Sequence, residues 1–367
     1  MTTSTTPNRK HLVLLGAGRA HVQVLKSLAQ RGVADVDVTL VTSSAQYVEN
    51  RMLAGYVAGQ YTPSDLCVPF SSLVEKSGVN SILAQVLGLD PAARQVPLAG
   101  GDTLSYDVLS IDMEPAADRE VFEAAMPGAR QHALFVRPNA AFVQLWPRLC
   151  ELAMKQALHV AVIGQTLAAA ELAMTAAPVL AAPHGSRITW VAGSAQGQPP
   201  LDGEHPKLAQ RVLARLKHLN VTVLHDHCIG LDGRSAQLAS GASLQCDAPI
   251  ITDNTGHPAW LLQSGLQLTE SGAPQINERL QSDSHRQIFI APPDAGAEYG
   301  STLDTNLRAA LGGGAFSAAP RTARLHAVAS GEGQAIRMWG PFCLEGRQVW
   351  HWLNRYNRKQ LTALFTV

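Results

Sequence analysis

Short apolar runs that lead through a glycine turn into a helically periodic stretch recur along this chain, and two places show the pattern most sharply. Residues 11–15 (His-Leu-Val-Leu-Leu) run into Gly16-Ala17-Gly18-Arg19-Ala20-His21, and a helix is expected over 21–30. Residues 159–163 (His-Val-Ala-Val-Ile) run into Gly164-Gln165-Thr166-Leu167, and an alanine-rich helix carrying Glu171 follows. Runs without polar alternation are the signature of strands buried on both faces, so both predict parallel strands covered by helices. In the first turn Gly16 permits the tight bend. Gly18 lets the backbone approach a pyrophosphate at the helix start, where unpaired N–H groups favour negative charge. Ala17, Ala20 and His21 complete that candidate cofactor site. In the second turn only Gly164 remains, and Thr166 and Ala169 stand at the other two glycine positions.

The remaining elements extend the same plan. A strand over 36–41 ends in Leu40-Val41-Thr42-Ser43, without the acidic residue that commonly holds ribose hydroxyls, so that contact falls to Thr42, Ser43 or backbone. Strands are expected over 81–89, 95–98 and 103–112, the last ending in Asp112. Residues 114–130 turn irregular, with Pro115 and Pro127, and mark a crossover between domains. A helix over 138–156, strands over 187–191 and 221–225 and a helix over 207–219 belong to the second unit. The run 249–252 reads as a buried strand returning to the first domain, followed by a strand over 287–291 and a helix over 301–311 closed by three glycines. Residues 321–367 read as strands and a terminal helix. The prediction is an α/β protein with two Rossmann-like dinucleotide-binding domains and a small C-terminal region. The first domain is expected over residues 1–115 and 245–315, the second over 116–244, and an α+β region over 316–367.

Composition removes several function classes. A chain of 367 residues with 46% hydrophobic and 16% charged residues buries real cores and is not disordered. Its 29 basic and 29 acidic residues cancel, which argues against a nucleic-acid partner. Residues 1–10 are polar and lack a signal-peptide core, and Gln165, Thr166 and Glu171 interrupt the alanine-rich run, well short of the roughly 20 apolar residues a membrane span needs. A soluble cytoplasmic protein is the expectation. Cys67, Cys150, Cys228, Cys246 and Cys343 are scattered singly, so neither a redox disulfide nor a zinc site is expected. His225 and His227 would share one face of a strand, yet no further ligand cluster accompanies them, and no metal is expected. No G-x-S-x-G elbow supports hydrolysis.

Several segments in order carry a resemblance: Leu14-Leu15-Gly16-Ala17-Gly18-Arg19-Ala20-His21-Val22, residues 50–61 (Asn-Arg-Met-Leu-Ala-Gly-Tyr-Val-Ala-Gly-Gln-Tyr), 107–112, 255–261, 280–285 and 352–365. From Lys10 onward the chain resembles the FAD-dependent pyridine nucleotide-disulfide oxidoreductases of the type II NADH dehydrogenase-like branch. Within that branch it looks like the flavoprotein module found fused to selenophosphate synthase. The resemblance implies a glutathione-reductase-like tandem fold with FAD over Gly16 and Gly18. His21 stands at the third glycine position in that branch too, and Thr42, Ser43, Arg51, Val86 and Asp112 are placed about the cofactor. Asp294 matches an aspartate that binds the flavin's ribityl or phosphate region, although Pro293 replaces the family's glycine before it. Gly300 would open a helix whose N-terminus faces the flavin, beyond a loop shorter than in relatives.

The resemblance further implies NAD(P)H over Gly164 and Thr166, Glu171 as the catalytic candidate, and a phosphate contact at Arg137-Pro138. Electrons would pass from a reduced nicotinamide to a quinone or another small acceptor. Sulfide:quinone chemistry is disfavoured without paired cysteines. The departures at Thr166, at Ala169 and at the end of the 187–191 strand leave a rival: a degenerate flavoprotein with impaired NAD(P)H binding, acting as a binding module or using another reductant. In this branch a C-terminal element meets the membrane. Residues 350–365 mix aromatic, apolar and basic types, and the reading preferred is a helix capping the core, with peripheral membrane contact as the alternative.

Overall fold

In the computed structural model, which describes residues 9–113, 119–193, 197–253, 258–270, 272–292, 296–320 and 327–367, strand β1 (Lys10–Leu15) enters helix α1 (Arg19–Arg31) through the first glycine turn. Strands β2 (Val36–Thr42), β3 (Asn80–Leu83) and β4 (Val108–Ile111) follow. Helix α2 (Arg119–Ala125), strand β5 (Leu134–Phe135) and helix α3 (Asn139–Ala153) lead to the second turn, between β6 (His159–Ile163) and α4 (Leu167–His184). Strand β7 (Arg187–Val191), helix α5 (Pro206–His218) and strands β8 (Thr222–Leu224) and β9 (Ala248–Ile251) complete that unit. The chain continues with β10 (Ile288–Ile290) and α6 (Ala297–Gly312). It closes with an antiparallel sheet of β11 (Ala327–Ala329), β12 (Ala335–Trp339) and β13 (Phe342–Gly346), then helix α7 (Arg347–Phe365).

Two five-stranded parallel sheets organise these elements, in the orders β10-β4-β1-β2-β3 and β8-β7-β6-β9-β5. The fold is the tandem α/β arrangement expected. Leu12, Val13, Leu14 and Leu15 are all at most 2% exposed, which is why β1 carries no polar alternation. In each sheet the strand order reverses beside the glycine-turn strand, between β1 and β4 and between β6 and β9. A crevice opens at the strands' carboxyl ends at such a switch point. Leu15 stands opposite Ile111 and Ile163 opposite Ile251, so Asp112 and the pair Thr252-Asp253 emerge at the two crevices.

The structure departs from the sequence pattern at three places. The 249–252 run pairs with β6 and β5 in the second sheet rather than returning to the first, so the boundary expected at 244/245 cuts ahead of a strand of the second unit. A buried parallel strand is an apolar run in either sheet, and nothing local tells which sheet takes it. Residues 103–112 are two strands: Thr103–Ser105 pairs with Gln95–Pro97, and β4 begins after Asp107, whose carboxylate accepts from the His11 N–H at 2.8 Å. Strand β8 ends at Leu224, so His225 and His227 do not share a strand face.

The alanine-rich stretch is α4, the helix at the centre of the molecule. It packs against α3, α5, β11 and the short helix Leu53–Val57, and Ala169, Ala173, Met174, Ala176 and Leu180 are fully buried. Small side chains let four neighbours approach it. Among the described residues no helix is long and apolar enough to cross a membrane.

The C-terminal unit clamps both sheets. Arg215 of α5 donates to the Ser330 carbonyl at 2.8 Å and pairs with Glu332 at 2.7 Å. On the other side α7 lies against α1, with Trp350, Leu353, Asn357, Leu361 and Leu364 facing inward. The Lys26 ammonium reaches the Ala363 carbonyl at 2.6 Å and Asn357 donates to the Arg51 carbonyl at 3.2 Å. Helix α7 thus caps the core, with its apolar stripe spent inside the fold.

Candidate cofactor crevices

The first crevice is built around Gly16, whose φ of +85° suits glycine alone. A side chain on Gly16 would collide with the Asp112 carbonyl and Met113, and one on Gly18 with the Asp112 carboxylate. The space that Gly18 leaves is therefore filled in part by Asp112. Its Oδ2 accepts from the His21 N–H at 2.7 Å, so a carboxylate from β4 caps the start of α1. His21 itself is fully buried between α1 and β4. Its Nδ1 lies 2.7 Å from the Gly16 carbonyl and its Nε2 2.8 Å from Ser110 Oγ. A carbonyl only accepts, so Nδ1 carries the hydrogen. Burial pushes the His21 pKa down, against the opposing pull of Asp112 and of the Gly16 hydrogen bond. The ring is then neutral, and Nε2 accepts from the Ser110 hydroxyl. Where a third glycine would let helix and strand close up, a neutral histidine bridges them instead.

The other residues expected about this crevice separate into groups. Gly16 and Ala17 are half-buried at its mouth, and Ala20 is fully buried. The Thr42 hydroxyl is engaged locally, donating to the Ser44 carbonyl at 3.1 Å, and Ser43 is exposed. Arg51 is exposed, and its N–H donates to Glu49. Val86 is half-buried and bridged to Leu98, on the hairpin side of the first sheet. Gly300 does not open a helix: α6 starts at Ala297 with Gly296 as its N-cap. Gly300 sits one turn in, where a Cβ would lie 2.5 Å from Gln23 Cβ and 2.8 Å from the Ala20 carbonyl. It is there so that α6 can cross α1 closely. Pro293 and Asp294 lie outside the described residues, as do residues 255–257 of the 255–261 motif.

One feature of this crevice was not legible in the motif. Arg19 at the first position of α1 pairs with Glu49 at 2.7 Å, with side chains only 8% and 3% exposed, and also donates to Gln360 of α7 at 3.3 Å. Tyr47 donates to the same carboxylate at 3.3 Å. The glycine turn is thereby tied to the loop after β2 and to the terminal helix. An arginine and a glutamate thirty residues apart carry no pairing signal in one sequence.

The second crevice repeats the geometry with different chemistry. Gly164 has a φ of +152°, and a side chain on it would collide with Thr252 Oγ1 and crowd Asp253. The Gly164 carbonyl accepts from the buried indole of Trp190 at 2.7 Å, and Asp253 Oδ1 accepts from the Gln165 N–H at 3.2 Å. Thr166 is exposed at the N-cap of α4 without a capping bond. Sequence reading missed Asp253, although it follows β9 much as Asp112 follows β4. Burial raises the Asp253 carboxyl, opposed by the Gln165 N–H and by His227. A cavity of about 90 Å³ remains, walled by Phe122 and Met126, by Ile163 and Ile251, and by His227 and Asp253.

Glu171 lies in neither mouth. One turn into α4, it accepts from the Ala329 N–H of β11 at 2.6 Å, and burial pushes its carboxyl up to about 7. Among the described residues no three His, Cys, Asp or Glu groups converge as metal ligands. All five cysteines are free thiols, and burial pushes Cys246 up to about 12.

The chain belongs to the pyridine nucleotide-disulphide oxidoreductase family, whose model matches residues 10–292. Members are flavoprotein oxidoreductases that typically bind FAD and NAD(P)H. The type II NADH:quinone oxidoreductase of Staphylococcus saprophyticus is 32% identical over 107 residues, which is 29% of this chain and 26% of the relative. That of a Staphylococcus epidermidis strain is 29% identical over 127 residues, 34% of this chain and 30% of the relative. The match thus spans little more than a quarter of these relatives' length. In fold, NDH2 from Plasmodium falciparum, solved in complex with NADH, superposes over 97% of this chain and 98% of its own with a TM-score of 0.74 at 12% identity. The sulfide:quinone oxidoreductase of Aquifex aeolicus does so over 97% and 91%, with a TM-score of 0.72 at 15% identity.

Proposed function

We propose that the protein is an FAD-dependent oxidoreductase of NADH dehydrogenase-like plan, passing electrons to a quinone or another small acceptor. The observation that carries this is the first switch-point turn, which keeps Gly16 in its left-handed conformation and Gly18 without a side chain, inside a family match that spans both sheets. The residues present fit a flavin diphosphate in backbone shape. Gly16 and Ala17 lie at the mouth, and His21 and Ser110 hold the turn rigid from beneath. Among the described residues, Asp112 on the turn carries a charge that opposes the diphosphate. FAD, when bound, supplies two-electron redox chemistry.

This chain's own residues then position and shield. Arg19, paired with Glu49, locks the start of α1, and α7 walls the same side, with Tyr61 donating to Asn354 at 2.9 Å. A reduced nicotinamide is the donor that the family typically uses. A rival in which another molecule supplies the electrons, or the fold serves as a binding module, is supported by Thr166 and by the lack of an acidic residue after β7.

The test is the visible spectrum of the purified protein before and after anaerobic addition of NADH. A flavin spectrum that bleaches supports the dehydrogenase plan, and one bleached only by dithionite supports the rival reductant. A colourless protein that cannot be reconstituted with FAD overturns the flavoenzyme reading.

A further inference from the structure

We infer that the second crevice excludes a nicotinamide dinucleotide, because the Asp253 carboxylate and the Thr166 side chain stand where its phosphates would lie and α2 closes the space beside them. The inference rests on the first crevice being the flavin site only for its consequence, that electrons reach the flavin from a donor that bypasses the second module.

Four features of the crevice agree. A pyrophosphate at a Rossmann turn is held by backbone N–H groups at the helix start, and the Gln165 N–H already donates to Asp253 at 3.2 Å. The carboxylate also repels a second anion at that place. The middle glycine of the fingerprint exists so that phosphate can touch backbone, and here Thr166 presents a β-branched side chain. The ribose position is filled as well: after β7 stands Gly193, where a Cβ would collide with the Asp226 backbone. The carboxylate of Asp226, whose backbone lies against Gly193, is committed to Ser240 Oγ at 2.5 Å and to the His227 N–H at 2.8 Å. Lastly, the cavity of about 90 Å³ beside Gly164, Gly193 and Asp253 is walled by the apolar side chains of Phe122, Met126, Ile163 and Ile251. Its lid is formed by Phe122 on α2 and Met126 just after it, which pack toward Ile163 and Ile251.

The first crevice shares some of this, since β2 also ends without an acidic residue, but it keeps its middle glycine. Asp112 lies on its turn, its carbonyl accepting from the Gly18 N–H at 3.0 Å and its carboxylate from the His21 N–H in the first turn of α1 at 2.7 Å, yet Gly18 is retained, so no side chain stands there as Thr166 does in the second turn. The two turns share one strand-turn-helix geometry and differ in what their mouths offer.

Calorimetric titration of the purified full chain with NADH and with NADPH tests the inference. No saturable binding to about 1 mM is expected for the natural sequence, and a gain of at least tenfold in affinity is expected for the double variant Thr166→Gly, Asp253→Asn. Saturable binding of either nucleotide to the natural sequence below about 100 µM overturns the inference. A double variant that folds, by its unchanged near-ultraviolet circular dichroism, and still fails to bind overturns the assignment of the exclusion to these two residues. If the double variant does not fold, the single variant Asp253→Asn is titrated against the same criterion. Flavin absorbance in the same samples reads the first crevice separately. A colourless protein that also ignores NADH defeats the flavin proposal and leaves this inference supported.

Discussion

A carboxylate on a helix start and a diphosphate compete for the same N–H groups, and Asp112 brings that competition to the first turn. Asparagine at this position keeps an acceptor for the His21 N–H while removing the charge. Asp112→Asn is therefore expected to bind FAD roughly tenfold more tightly, about 1.4 kcal/mol, measured as flavin retained per protein and by titration of the apoprotein. Weaker retention would mean that the charge serves the cofactor. Glu171 gives a second expectation at this scale. Its carboxyl titrates near 4.5 in the unfolded chain and near 7 in the fold. Below pH 4.5 both states hold the proton. Between 4.5 and 7 the unfolded chain releases it first, so stability falls as pH rises, and above 7 it levels off. Glu171→Gln should remove this slope, which amounts to on the order of 3 kcal/mol, in urea unfolding from pH 4.5 to 7.5. Parallel curves for variant and natural protein would sink the idea. The glycines at these sites were legible because their backbone demands are local. The partners of Asp112, Glu171 and Arg19 were not, since each contact joins residues from different elements across 30 to 158 positions of chain.

At the scale of elements, the α6–α1 crossing shows what a glycine read as a helix start does in the fold. Gly300→Ala places a methyl group against Gln23 Cβ and the Ala20 carbonyl, and overpacking of that kind costs about 1–3 kcal/mol. Gly312, at the end of the same helix, has open space around it, so Gly312→Ala should be neutral or stabilise by up to about 1 kcal/mol through the unfolded state. Chemical denaturation of the two variants separates helix packing from helix propensity, and equal effects would refute the crossing role. Elements with strong periodicity were legible to within a residue or two: 187–191 for β7, 207–219 against Pro206–His218 for α5, 36–41 against Val36–Thr42 for β2. The assignment of β9 to a sheet failed because parallel partners meet only through a long crossover, which leaves no local trace.

For the whole molecule, the decisive arrangement is that α7 spends its apolar stripe on α1 and the loop after β2 while the hairpin of β12 and β13 keeps Trp339 and Phe342 in the open, at 64% and 68% exposure. An aromatic, basic terminal segment is equally consistent with a surface anchor and with a cap, and only the placement of Trp350 decides between them. Trp350 is 5% exposed, its ring centroid is 5.8 Å from that of Tyr61, and Gly55 has no side chain because the two rings occupy that space. Truncating it empties a site between α7 and the 53–61 segment that nothing nearby can refill. Trp350→Ala should therefore cost about 3–5 kcal/mol and loosen α7 from the first crevice, with a matching loss of retained flavin. Phe342→Ala, at the hairpin tip, should change stability by less than about 0.5 kcal/mol and leave flavin content alone. Urea unfolding and flavin absorbance on the same preparations read both effects. If Trp350→Ala weakened neither stability nor flavin retention, α7 would be an appendage, and its aromatic residues would be free to act outside the fold.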